Sequence, residues 1–132
     1  MILRDDFLWG ASTSAYQFEG ASKDDGKGLS VQDVKQLPEG TADFTVSSDH
    51  YHRFREDIAL MAKMGLKAYR FSIAWTRIYP DGVGSINELG IRHYSEVIDT
   101  CLNYGITPIV TMYHFDLPAS LEALGGWRHR ST

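Results

Sequence analysis

Two stretches of helical periodicity, each followed by a short strand-like run, constrain the fold most. Over residues 49–64, Tyr51, Phe54, Ile58, Met61 and Ala62 fall on one helical face, while Arg53, Glu56 and Lys63 lie elsewhere. Ser48 or Asp49 is placed to cap this helix and Gly65 to end it. A second helix is predicted over 88–104, with Ile91, Tyr94, Ile98, Cys101 and Leu102 on its apolar face. Asn87 is its expected cap and Gly105 its stop. Strand material follows each helix, at 67–73 and at 106–113. The latter run lacks polar alternation, as expected for a strand buried on both faces. The apolar, small residues of 7–15 predict a first short buried strand. Residues 20–48, rich in Gly, Asp, Lys, Ser and Thr, predict a long loop with one short helix near 31–37. Pro80-Asp81-Gly82 marks a turn, and Pro118 opens a short helix to Leu124 that Gly125-Gly126 breaks.

Strands separated by helices imply right-handed crossovers and a parallel sheet, so the class is α/β. A doubly wound sheet and a (β/α)8 barrel both fit. The last strand has no full-length helix after it, and a sheet of this size is a poor stopping place. The expectation is a piece of a larger domain, of marginal stability and with exposed apolar surface.

Composition narrows the function. The 132 residues carry 13 basic and 17 acidic side chains, a net charge of −4, which excludes a binder driven by phosphate neutralisation. No run approaches the ~18 apolar residues of a membrane span, so no membrane partner is expected. The start, Met1-Ile2-Leu3-Arg4-Asp5-Asp6, is charged where a signal peptide is apolar. One cysteine, Cys101, allows no internal disulfide. Together these lead to an expected cytoplasmic location. Seven Tyr, six Phe and three Trp suit a packed core and also sugar-binding clefts.

In parallel α/β folds the chemistry collects at the carboxyl ends of the strands. There the sequence delivers Tyr16-Gln17-Phe18-Glu19, then Arg70, Ser72, Trp75 and Arg77, then Tyr113-His114-Phe115-Asp116. Gln and His can donate and accept hydrogen bonds, which suits vicinal sugar hydroxyls. Arg orients a carboxylate by paired hydrogen bonds. Plain alternatives stand beside each. Gln17 could serve only backbone groups of its loop, Arg70 could be an ion-pair partner of Glu19 or Asp116, and His114 could be a hydrogen-bonded core histidine. His50-x-His52 resembles a metal pair, but residues two apart on a helix face apart, so surface histidines are expected and no metal site. Gly26-x-Gly28 lacks a third glycine and the strand–helix setting of a dinucleotide loop. Cys101 is read as core. No cofactor is expected.

These residues carry a resemblance. Phe7-Leu8-Trp9-Gly10-Ala11-Ser12-Thr13-Ser14-Ala15-Tyr16-Gln17-Phe18-Glu19-Gly20 closely resembles the N-terminal signature of glycoside hydrolase family 1, the β-glucosidase and 6-phospho-β-glucosidase family. Gly26-Lys27-Gly28, Asp49-His50-Tyr51-His52-Arg53-Phe54, Glu56-Asp57-Ile58, Tyr69-Arg70-Phe71-Ser72-Ile73-Ala74-Trp75-Thr76-Arg77-Ile78, His114-Phe115-Asp116-Leu117-Pro118 and Gly125-Gly126-Trp127 follow in order. The resemblance spans the chain. It implies the N-terminal part, about three βα units, of a (β/α)8 TIM barrel, and retaining hydrolysis of β-linked glucosides or phosphoglucosides. It further implies that Gln17 and His114 bind hydroxyls of the non-reducing sugar and that Arg70 touches the catalytic nucleophile. Trp75, Arg77 and Trp127 match scaffold positions. Phe115 stands where the family usually has Trp, although Phe occurs among phospho-glycosidase-like members. Ser30-Val31-Gln32-Asp33 also lacks a Trp common in plain β-glucosidases. Both departures tilt the reading toward the phospho-β-glucosidase branch.

Retaining hydrolysis needs two carboxyl groups about 5–5.5 Å apart. The family's acid/base Glu lies in an Asn-Glu-Pro motif after strand four and its nucleophile in a Glu-Asn-Gly motif after strand seven. Neither motif occurs here; Asn87-Glu88 is followed by Leu89 and opens a helix. The resemblance does not assign catalysis to Glu19. The expectation is a chain over 1–132, truncated after strand three, with part of a sugar subsite, no catalytic residue and no activity alone. The alternatives are a non-enzymatic sugar-binding module and a unit that self-associates through exposed barrel edges.

Overall fold

The structure, a computed structural model, describes residues 4–130 and 132. The charged start therefore lies partly outside the described residues. In chain order the elements are β1 (Gly10–Ser12), α1 (Ala15–Phe18), α2 (His50–Lys63), β2 (Ala68–Ser72), α3 (Trp75–Ile78), α4 (Glu88–Asn103), β3 (Thr107–Thr111) and α5 (Ala119–Ala123), with 3-10 turns at Asp24–Gly26 and Gly126–Arg128. The strands form a parallel sheet in the order β1-β2-β3. Ser12, Arg70 and Ile109 are aligned across it.

Period-2 alternation divides the sheet. Tyr69 and Phe71 of β2 turn toward α2 and α4, where Phe54, Ile58, Tyr94, Val97, Cys101 and Ile106 complete one core. Arg70 occupies the opposite face of β2 and is half-buried. Both helices end as expected: Gly65 and Gly105 take left-handed φ values of 83° and 67°. Asn87 caps α4, its side-chain oxygen accepting from Leu89 N at 3.2 Å. Asp49 occupies the cap position of α2 but makes no side-chain cap bond; its Oδ1 lies 2.6 Å from His52 Nδ1.

Several expectations are corrected. The first strand is only Gly10–Ser12 and is exposed, as are Phe7, Leu8 and Trp9, because no second layer covers this part of the sheet. β3 is not buried on both faces: Thr107 and Ile109 are exposed, since β3 is an edge strand with one face bare. No helix forms over 31–37. Asp33 Oδ2 instead accepts from Lys27 Nζ, Ser30 N and Ser30 Oγ, each at 2.7 Å, tying the segment into a turn. The buried face of α4 is Gly90, His93, Tyr94, Val97 and Cys101, whereas Ile91 and Leu102 are exposed. His50 is buried, packed on Phe18 with ring centroids 4.5 Å apart and its Nδ1 2.7 Å from Asp57.

The rotation of α4 follows from Gly90. A Cβ there would stand 2.2 Å from the Arg77 carbonyl oxygen, so the helix rides directly on the α3 backbone. Gly90→Ala should gain about 1 kcal/mol of helix propensity yet destabilise the chain by roughly 1–3 kcal/mol through overpacking. A urea midpoint equal to or above that of the wild type would contradict this. Beside α4, an apolar groove of about 840 Å³ opens between Ile73, Ile78, Ile91, Ile98 and Met112. It is the exposed apolar surface that the short sheet implies.

Candidate active-site wall at the strand ends

The polar residues gather where the parallel strands end. Arg70 leans along β2 and donates from Nε to Thr111 Oγ1 at 2.6 Å and from a terminal nitrogen to the Thr13 carbonyl at 3.5 Å. Its other terminal nitrogen lies 3.0 Å from His114 Nδ1. Guanidinium has donors only, so His114 Nδ1 accepts and the ring's proton sits on Nε2. The arginine thereby fixes the tautomer that leaves His114 a donor on its far side.

Gln17 is exposed on α1 and joins neither residue by a hydrogen bond among the described residues. Its Oε1 accepts from Ser14 Oγ at 2.5 Å, which leaves the amide NH2 as a free donor. Its backbone carbonyl is held by the Ser47 hydroxyl of the long loop. The structure therefore brings Arg70 and His114 into contact, while Gln17 is held on α1 by Ser14 and Ser47 and is not joined to either.

The ion-pair reading of Arg70 is replaced. Glu19 pairs with Arg77, Nε to Oε2 at 2.8 Å, and both are buried. Glu19 Oε1 accepts from Tyr94 OH at 2.7 Å, and Tyr94 OH in turn accepts from Ala74 N at 2.8 Å. Arg77 also donates to the Gly20 carbonyl at 2.9 Å and lies 3.9 Å above the Tyr51 ring. This network fixes the chain just after Gln17. Trp75 packs near Trp127, ring centroids 6.0 Å apart, in keeping with a scaffold role.

The loop after β3 is strained and clamped. Phe115 has φ 60° and an exposed ring, which meets the His114 ring edge-on at 5.1 Å. Gln32 Nε2 donates to the Phe115 carbonyl at 2.6 Å. Asp116 Oδ1 faces the His114 amide at 3.4 Å, while its Oδ2 is buried with no partner among the described residues. Burial pushes the Asp116 carboxyl up to about 6, against the pull of the backbone amides. Sequence reasoning missed Thr111, Gln32 and the state of Asp116. Only Thr111 had a signal: it lies two residues past the register partner of Arg70, on the same sheet face.

The sequence model of Glycosyl hydrolase family 1 matches residues 1–132. The chain belongs to this family. Among curated relatives, aryl-phospho-β-D-glucosidase BglC of Bacillus subtilis is 52% identical over 130 residues, 95% of this chain and 27% of that protein. β-Glucosidase 6 of Oryza sativa is also 52% identical, over 96% of this chain and 25% of its own length. Among solved structures, the family 1 β-glucosidase from Thermotoga maritima superposes with TM-score 0.92 at 44% identity, covering 98% of this chain and 30% of that one. The chain thus spans about a quarter to a third of the relatives it matches. Its open sheet is the N-terminal portion of their (β/α)8 barrel, and it matches part of a β-glycosidase.

Proposed function

We propose that this chain supplies one wall of the sugar subsite in a retaining β-glycosidase that hydrolyses β-glucosides or 6-phospho-β-glucosides. The observation that carries the proposal is the Arg70–His114 contact at 3.0 Å, at the carboxyl ends of parallel strands. It leaves His114 Nε2–H free to donate to a sugar hydroxyl, and the exposed Gln17 amide on α1 would offer a second donor. Arg70 would orient the nucleophile's carboxylate by paired hydrogen bonds from its guanidinium. The two catalytic carboxylates come from residues outside these 132.

Relatives named for phosphorylated and for plain glucosides match equally well, so both substrates belong to the proposal. Phe115, where the family usually has Trp, and the segment Ser30-Val31-Gln32-Asp33, which lacks a Trp common in plain β-glucosidases, favour the phosphorylated one.

Two measurements test the reading. The purified chain should not hydrolyse a chromogenic β-glucoside, with or without a 6-phosphate, and measurable turnover would sink the assignment of catalysis elsewhere. Glucose should shift the NMR signals of the Gln17 amide and the His114 ring. Absence of any shift at several hundred millimolar sugar, about the weakest affinity worth scoring, would end the subsite reading.

A further inference from the structure

A second pocket is lined by α1 and the long loop, and neither Arg70 nor His114 is among its lining residues. It has a volume of about 350 Å³ and is bounded by Tyr16, Phe44, Leu29 and Gln32 together with Lys23 and Lys35. That volume is within the usual range of small-molecule sites. Tyr16 and Phe44 form an edge-to-face pair with ring centroids 5.5 Å apart and planes at 84°. Such a corner offers one ring face and one ring edge to a flat guest.

The charge balance of this pocket leans positive. Lys27 neutralises Asp33, while the Asp43 carboxylate, bonded only to Thr45, keeps its charge and offsets one of the two lining lysines. Asp33 accepts from Lys27 and from Ser30, and Asp43 Oδ1 accepts from Thr45 N at 3.0 Å and Thr45 Oγ1 at 2.5 Å. The contacts to Thr45 hold the Asp43 carboxyl below its ordinary value. Lys23 and Lys35, by contrast, have no acidic partner among the described residues. A pocket with an aromatic corner, two ammonium groups and a remaining positive surplus favours a ring that carries an anion.

We propose that this pocket binds small aromatic anions, an aryl carboxylate or aryl phosphate, with the ring in the Tyr16–Phe44 corner and the anionic group between Lys23 and Lys35. The inference is independent of the sugar subsite, because none of its residues contacts Arg70 or His114.

The test is an NMR titration of the intact chain with benzoate, phenyl phosphate, phenol and inorganic phosphate. Benzoate and phenyl phosphate should move the Tyr16, Lys23, Lys35 and Phe44 signals saturably, and phenol and phosphate alone should bind several-fold more weakly. The double variant Lys23→Gln/Lys35→Gln changes exposed side chains only, so its spectrum should otherwise be preserved. It should bind both aryl anions about tenfold more weakly, the sum of two exposed ion pairs, and leave phenol unchanged. Raising the salt from 0.01 to 0.15 M, roughly a fourfold shorter screening length, should weaken the anions alone. The proposal is overturned if no probe saturates, if phenol matches phenyl phosphate, if the double variant binds the anions as well as the wild type, or if the shifts centre on Arg70 and His114. A glucose titration on the same sample scores the sugar subsite separately.

Discussion

Replacing Glu19 with Ala should cost roughly 3–5 kcal/mol of stability, the usual penalty for stranding a buried charge. Arg77 would keep its charge with its side chain 2% exposed, and among the described residues no other carboxylate is paired with it. The Tyr94 hydroxyl would lose its acceptor while still receiving the Ala74 amide. Domains are typically stable by only about 5–15 kcal/mol, and here one face of the sheet is bare. The Glu19→Ala chain is therefore expected to lose its cooperative urea transition or to shift it far toward zero denaturant. Arg77→Met should do the same, because Glu19 would then be the stranded charge. The double variant Glu19→Met/Arg77→Met should recover part of the loss, since removing both charges leaves neither desolvated and unpaired. Single-variant losses below about 1 kcal/mol, the range of exposed ion pairs, would show that the pair is solvated and does not anchor the loop that carries Gln17.

This pair also shows what the sequence could and could not disclose. The two long helices, their glycine stops, the parallel sheet, and the positions of Arg70 within β2 and His114 just past β3 were all legible, because each rests on periodicity or local backbone chemistry. The partner of Glu19 was not. Arg70 and Arg77 lie seven residues apart in one strand–turn–helix unit, and only the fold decides that Arg77 turns back under α1 while Arg70 faces across the sheet. Burial was misread where it depends on absent neighbours: an apolar run such as 106–113 predicts a covered strand, but its cover must come from another layer. The rotation of α4 was hidden for a similar reason, since Gly90 shows its role only once the Arg77 carbonyl is seen against it. His93 escaped notice because a histidine on a helix reads as polar, whereas here it stacks on Tyr51 with centroids 4.0 Å apart.

That buried histidine and Asp116 should give the chain a pH profile in which two opposite slopes overlap. Burial, and then the charge of Arg77, depress His93 from 6.5 to about 3. The unfolded chain binds this proton below about 6.5 and the folded chain only near 3, so His93 contributes stability that is complete above 6.5 and declines as the pH falls. The decline is about 1.4 kcal/mol per pH unit. His50, also lowered by burial although Asp57 opposes the shift, adds in the same direction. Asp116 acts the other way. Its folded value of about 6 stands above the ordinary 3.8, so between these limits the folded chain holds a proton that the unfolded chain has released. Its contribution is best below about 3.8, worsens as the pH rises, and by pH 7 amounts to a cost of about 3 kcal/mol. Between about pH 4 and 6 the Asp116 slope offsets that of His93, and His50 leaves a residual loss of stability on acidification. Asp116→Asn keeps an acceptor for the His114 amide and removes the buried charge. It should be more stable than the wild type at pH 7 by about 1–3 kcal/mol, and it should lose more stability than the wild type on acidification from pH 6 to 4. His93→Phe keeps a ring against Tyr51 and should show the opposite change, losing less stability than the wild type over the same interval. Urea unfolding at half-unit pH steps decides the matter. Parallel profiles for the wild type and Asp116→Asn would mean that Asp116 is ionised at no cost in the folded chain, and that the orphaned Oδ2 is solvated.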